Sequence, residues 1–134
     1  MEFTWPVRVY YEDTDAGGVV YHTCYLKFME RARTEWLRSL GFEQDELIEK
    51  QNIVFAVRSL SINYIKPARF NDQLEVESEI VKINKASILF DQAIHNMNNE
   101  KICRAEVRIA CVNPASMKPA AIPESILLEL DHVN

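Results

Sequence analysis

Between His22 and Leu40 apolar residues recur with a period near 3.6, in a pattern too broad for an ordinary surface helix. Tyr25, Phe28, Met29, Ala32, Trp36 and Leu40 fall on one side, flanked by Leu26 and Leu37, while Lys27, Glu30, Arg31, Thr34, Glu35 and Arg38 take the other. The apolar arc covers roughly half the circumference, more than the stripe a surface helix normally buries. Such a helix needs cover on more than one side, and a curved sheet wrapped around it would supply that cover. Arg33 falls inside the apolar arc. Its stem can cover the core edge while its head snorkels to water; an intersubunit or buried ion pair is the sharper reading.

The rest of the chain supplies strands. Phe3 to Tyr10 alternates in part and is rich in Val and aromatic residues, and Pro6 suits an edge position or a late start. Gly41 is a suitable helix stop, and Glu43 to Gln51 reads as a short solvated helix with an acidic first turn. Four β-rich segments follow, Ile53–Tyr64, Gln73–Ile83, Ser87–His95 and Lys101–Asn113. In the second, Leu74, Val76 and Ile80 face one side and Glu75, Glu77 and Glu79 the other; in the fourth, Cys103, Ala105, Val107, Ile109 and Cys111 point inward. Their succession predicts a meander of antiparallel neighbours. Pro123 to Leu130 fits a short terminal helix with Pro at its start. The expectation is a single α+β domain over residues 1–134, helix packed on sheet.

Fifteen basic against twenty acidic residues give a net charge of -5, which argues against general nucleic-acid binding. The N-terminus lacks the basic-then-apolar pattern of a signal peptide, and no apolar run approaches the ~20 residues of a transmembrane segment. Cys24, Cys103 and Cys111 form an odd set without metal-ligand spacing and read as free thiols. Together these point to the cytoplasm. The chain is small for an enzyme that must enclose a substrate, so a site shared between subunits is expected.

The stretch from Tyr10 to Tyr25, Tyr-Tyr-Glu-Asp-Thr-Asp-Ala-Gly-Gly-Val-Val-Tyr-His-Thr-Cys-Tyr, joins the first strand to the long helix. Asp13 and Asp15 sit in a turn, and Gly17 and Gly18 let the backbone bend or approach a ligand closely. A carboxylate opposite a helix N-terminus is a reactive arrangement. Free N–H groups and the positive end of the dipole polarise a carbonyl, and the carboxylate attacks it or activates a water. Position alone fits equally an Asp that merely caps a turn. A calcium loop is rejected, because its fifth and twelfth positions would be Gly17 and Cys24 in place of oxygen ligands. Cys24 as a thiol nucleophile ranks below a small, buried, inert cysteine.

The run from Tyr11 through Asp13, Asp15, Gly17, Gly18, Tyr21 and His22 to Tyr25 resembles the signature of the hotdog-fold acyl-CoA thioesterases of the 4-hydroxybenzoyl-CoA thioesterase type. Within that family it is most similar to the short-chain branch associated with the bacterial Tol-Pal system. The likeness extends over nearly the whole chain and includes Asn63-Tyr64-x-x-Pro67-x-x-x-x-Asp72, which looks like the usual crossing between strands of that fold. It implies an antiparallel curved sheet around one central helix, and hydrolysis of short aliphatic acyl-CoA thioesters without metal or redox cofactor. The family's catalytic aspartate falls on Asp15, as nucleophile or general base. The backbone N–H at His22 would face the thioester carbonyl, and Tyr11 could orient Asp15. Related 4-hydroxybenzoyl enzymes carry an aromatic residue in place of His22, which favours the aliphatic branch.

Gly17, Gly18 and Tyr21 complete the expected substrate turn. For the phosphates of coenzyme A, Arg58, Ser59, Lys82, Lys85 and Ser87 are the candidates, with Lys66 and Arg69 behind them; each also fits a solvated surface position. The resemblance implies a homodimer or homotetramer with the pocket between subunits. Two rivals stand beside the acyl-CoA reading: a thioesterase acting on acyl carrier protein, and a hotdog that binds acyl-CoA or a protein partner without turnover. Any link to the cell envelope comes from the family association alone.

Overall fold

The computed structural model describes residues 2–133. Strand β1 (Glu2–Arg8) is followed by a 3-10 turn at Tyr11–Asp13 and by the long helix α1 (Cys24–Ser39). A short helix α2 (Gln44–Glu46) widens into one π-type turn at Leu47–Gln51. Strands β2 (Val54–Tyr64), β3 (Gln73–Ile83), β4 (Ser87–Asn96) and β5 (Lys101–Val112) come next, and helix α3 (Glu124–Val133) ends the described chain.

The five strands form one antiparallel sheet in the order β1-β3-β4-β5-β2. The expected meander holds for β3, β4 and β5 but not for β2, which pairs with β5 at the far edge. Residues 65–72 make the crossing, and they are too firmly anchored for a hairpin turn. Val9 N–H donates to Asp72 O (2.9 Å), Asn71 N–H to Val9 O (2.9 Å), and Val20 N–H to Ala68 O (2.9 Å). Pro6 lies on β1, an edge strand, where its missing N–H costs no ladder bond. Arg58 and Val81 are skipped in the pairing of β2 and β3, and bulges of this kind bend a strand. The bent sheet covers α1 widely enough to bury Tyr25, Phe28, Met29, Ala32 and Trp36. They pack with Leu74, Val76, Ile94, Cys103 and Val107 from the sheet.

α1 starts two residues later than its periodicity suggests. Val19 and Val20 are held in short bridges to Arg69 and Thr14, and Tyr21 N–H donates to Asp13 O (2.8 Å), so the chain stays extended up to Tyr21. Arg33 departs from the snorkelling expected for it, and within this chain it makes no ion pair among the described residues. It is buried instead of snorkelling, and its Nη1 donates to Gln92 Oε1 (2.8 Å), a neutral partner in place of a carboxylate.

Candidate active site

The two carboxylates of the turn point in opposite senses. Asp13 is buried, and its Oδ2 accepts the Tyr10 N–H (2.8 Å), so it closes the 3-10 turn as an architectural group. Asp15 is exposed, at the head of a tight hairpin in which its N–H donates to Val19 O (2.9 Å) and its own carbonyl accepts the Gly18 N–H (3.0 Å). Among the described residues its carboxylate has one donor, the Gly17 N–H at 2.8 Å to Oδ1. The second oxygen, Oδ2, is left for a substrate or a water.

The adjacent glycines serve different purposes. Gly18 has φ +80, a left-handed conformation that side chains resist. At Gly17 a Cβ would stand 3.1 Å from Asp15 Oδ1, so its absence leaves room for the carboxylate.

The hairpin delivers the chain to the start of α1. Thr14 pairs with Val20, Cys24 N–H donates to Tyr21 O (2.8 Å), and among the described residues the N–H groups of His22 and Thr23 have no acceptor. These free donors sit where the helix dipole adds positive potential, the arrangement that holds an oxyanion. The His22 ring lies 4.5 Å from that of Tyr21 and meets Tyr64 edge-on at 6.2 Å. Tyr64 also donates its hydroxyl to the His22 carbonyl (3.0 Å), and Tyr25 Oη accepts the Ala68 N–H (3.0 Å). A cavity of about 300 Å³ opens here, lined by Val20, His22, Tyr25, Tyr64, Ile65, Lys66 and Pro67.

Tyr11 takes a different place from the one expected. It is exposed and packs edge-on against Phe70 at 5.9 Å, with no hydrogen bond to Asp15 among the described residues. Of the coenzyme candidates, Arg58, Lys85 and Ser87 share a second cavity of about 520 Å³ with Asn84, Met117 and Pro119. Ser59 and Lys82 are exposed and do not line it. Arg58 and Tyr64 are six residues apart on β2, about 20 Å in an extended strand, so within one chain the basic cavity and the Asp15 end do not adjoin.

Lys66, ranked behind the others in sequence, lines the His22 cavity, where it pairs with Glu100. Tyr64 carried no signal beyond its place in the crossing motif, and Tyr25 none beyond its place at the end of the signature run and on the apolar side of α1. The Cys24 thiol is pushed up by burial and then by the charge of Asp13, which speaks against an activated thiolate. No metal-ligating cluster occurs among the described residues.

Residues 9–130 match the family described as the thioesterase-like superfamily. The acyl-CoA thioester hydrolase YbgC of Escherichia coli O6:H1 is 50% identical over 127 residues, 95% of this chain and 94% of that protein. The acyl-CoA thioesterase YbgC of Haemophilus influenzae is 48% identical over 131 residues, 98% and 96% of the two chains. Among solved structures, a probable thioesterase from Bartonella henselae superposes with a TM-score of 0.87 at 35% identity, over 92% of this chain and all of that one. A 1,4-dihydroxy-2-naphthoyl-CoA thioesterase from Synechocystis does so with 0.90 at 25% identity, over 98% and 96%. These neighbours share the hotdog arrangement of a curved antiparallel sheet on one helix.

Proposed function

The chain belongs to the thioesterase-like superfamily, and on that premise we propose that it hydrolyses acyl-CoA thioesters, preferring short aliphatic acyl groups. The observation that carries the reading is that one turn-to-helix segment holds both an exposed, singly bonded Asp15 carboxylate and, at the start of α1, two N–H groups without an acceptor among the described residues. The thioester carbonyl oxygen would accept from His22 and Thr23 N–H as it gains charge. Asp15 Oδ2 then attacks the carbonyl carbon and expels the coenzyme A thiolate. Water cleaves the resulting mixed anhydride to the free acid and restores the carboxylate. In the variant course Asp15 takes a proton from the water that attacks directly.

Relatives named as acyl-CoA thioesterases support the reaction class. The roughly 20 Å between Arg58 and Tyr64 on one strand favours a dimer or tetramer in which coenzyme contacts from Arg58, Lys85 and Ser87 serve another subunit's Asp15. Exposed Val57 and Leu60 on the edge strand β2 supply a surface for that pairing. A cytoplasmic place and an association with the Tol-Pal envelope system belong to the same proposal; no helix among the described residues is long and apolar enough to cross a membrane. Co-purification with Tol-Pal components tests the association.

The deciding experiment measures thiol release from acyl-CoAs ranging from acetyl to palmitoyl, with benzoyl and hydroxybenzoyl included. The native protein is expected to turn over the short aliphatic esters. Asp15→Asn keeps the Oδ1 acceptor for Gly17 but loses the charge, and should lower kcat by about 100-fold or more. Turnover on acylated carrier protein alone would move the reading to that substrate, and tight binding without thiol release to a non-catalytic hotdog.

A further inference from the structure

The reactive turn is the outer segment of a small three-segment sheet. Thr14 pairs with Val20 and Val19 with Arg69, both antiparallel, and Asp15 N–H donates to Val19 O (2.9 Å) while Val20 N–H donates to Ala68 O (2.9 Å). Residues directly opposite each other share a face. One row therefore reads Thr14, Val20 and Ala68, and the next reads Asp15, Val19 and Arg69. Burial follows the rows: Val20 and Ala68 are buried, whereas Asp15 and Arg69 are exposed. Asp15 and Arg69 thus stand on one outward face with Val19 between them, two strand spacings or about 10 Å apart at the backbone.

The main chain of Arg69 is pinned. Its N–H donates to Asp72 Oδ2 (2.9 Å), and its carbonyl accepts the Asp72 N–H (3.1 Å). Its guanidinium is uncommitted: among the described residues it has no hydrogen-bond acceptor and no carboxylate within ion-pair distance. The other cations around the crossing are engaged. Arg8 Nη1 donates to Asn71 O (2.8 Å), and Lys66 pairs with Glu100. A fixed backbone thus presents a free cation on the face that carries the attacking carboxylate.

We propose that Arg69 is a further catalytic residue, which stabilises the thiolate as it leaves the thioester. The inference rests on the hydrolytic reading and adds a role to it. Three atoms change charge when the thioester is cleaved. The carbonyl oxygen is met by the His22 and Thr23 N–H groups, and Asp15 supplies the electron pair. Sulfur, the third, has no donor in that scheme. Asp15 Oδ2 forms the new C–O bond, the C–S bond breaks, and its electron pair stays on sulfur with no proton moved in the step. A guanidinium beside a thiolate favours the ionised form, and it stays charged at every working pH. Where water attacks directly, the same C–S bond breaks and the same charge falls on sulfur, to which the proton that Asp15 took from the water then passes.

The test compares kcat/KM for butyryl esters of three thiols. They are coenzyme A, N-acetylcysteamine, which carries no phosphate, and 4-nitrothiophenol, a more acidic thiol that leaves readily unaided. Arg69→Met should lower kcat/KM on the coenzyme A and N-acetylcysteamine esters by about 100-fold, and on the nitrothiophenyl ester by less than about threefold. Arg69→Lys keeps the charge without the planar fork and should recover about tenfold of the loss. The guanidinium is exposed and holds nothing in the fold, so the melting curves of both variants should match the native one. Arg69→Gln covers the case in which Arg69→Met does not fold.

Equal losses on all three esters would overturn the proposal, since a distorted turn slows every substrate alike. So would a loss confined to the coenzyme A ester, which would make Arg69 a phosphate contact. A native protein that cleaves all three, with Arg69→Met indistinguishable from it, would remove this inference and leave the hydrolytic reading standing. A native protein that cleaves none of them would remove both.

Discussion

The Tyr64 hydroxyl donates to the His22 main-chain carbonyl at 3.0 Å, tying the end of the edge strand β2 to the peptide that opens α1. The bond fixes the plane of the His22–Thr23 peptide, which carries the free Thr23 N–H, so a strand far away in sequence sets the aim of one of the proposed oxyanion donors.

Tyr64→Phe removes this bond and keeps the ring that meets His22 and Tyr25. The expected result is a kcat lowered about fivefold with KM little changed, since one hydrogen bond is worth about 1 kcal/mol. The His22 carbonyl lies at the surface and can turn to water, so thermal stability should barely move. Steady-state kinetics and a melting curve on the same preparation check both parts.

The neighbouring glycines should separate by phenotype. Gly17→Ala places a methyl 3.1 Å from Asp15 Oδ1 without requiring positive φ. Turnover should fall severalfold at nearly unchanged Tm. Gly18→Ala forces an L side chain into φ +80, at a cost of about 1–2 kcal/mol and a Tm lower by about 3–6 °C. Gly18→Asn should recover much of that loss, because asparagine tolerates the left-handed region.

Gln92→Leu strips Arg33 of its acceptor and leaves the Met29 carbonyl and Ser78 Oγ without their donor. A loss of about 3 kcal/mol is expected, read as a lower denaturation midpoint at constant m. Pairing it with Arg33→Met should return part of the stability, because the stranded charge goes with it.

The thiols should be silent in the folded protein. Cys24, Cys103 and Cys111 are all raised by burial, Cys103 to about 12. At pH 8 a thiol reagent should label none of them rapidly, and all three in denaturant. The native state keeps the Cys103 proton through a range in which the unfolded chain, near pH 9, has lost it. Its contribution to stability is complete below about pH 9 and declines as pH rises toward 12. Cys103→Ala should flatten that decline in alkaline denaturation curves.

What could be read from the chain follows the range of the forces involved. The arc on α1 and the alternation of Leu74, Val76 and Ile80 record burial directly, and those faces are the buried ones. The partner of β2 is not written in its own residues. Its pairing with β5 depends on where residues 65–72 dock, and that is settled by backbone bonds to Val9 and Val20 which any side chains could make. The motif located the Asp15 turn, and the opposite fates of Asp13 and Asp15 came from the hairpin's geometry. Arg33 shows the limit most clearly. Periodicity put it on the apolar face, but only the sheet brings Gln92 to it, fifty-nine positions away.

α1 runs unbroken from Cys24 to Ser39, and this gives the molecule a fixed ruler. Adding or deleting one residue between Cys24 and Arg33 would swing the guanidinium by about 100° and shift it about 1.5 Å along the axis, out of reach of Gln92. Insertions should therefore be lethal within the first half of this helix yet permitted in the Asn96–Glu100 and Asn113–Pro119 turns. Any retuning of acyl length among descendants of this sequence would proceed by exchanging side chains at constant helix length.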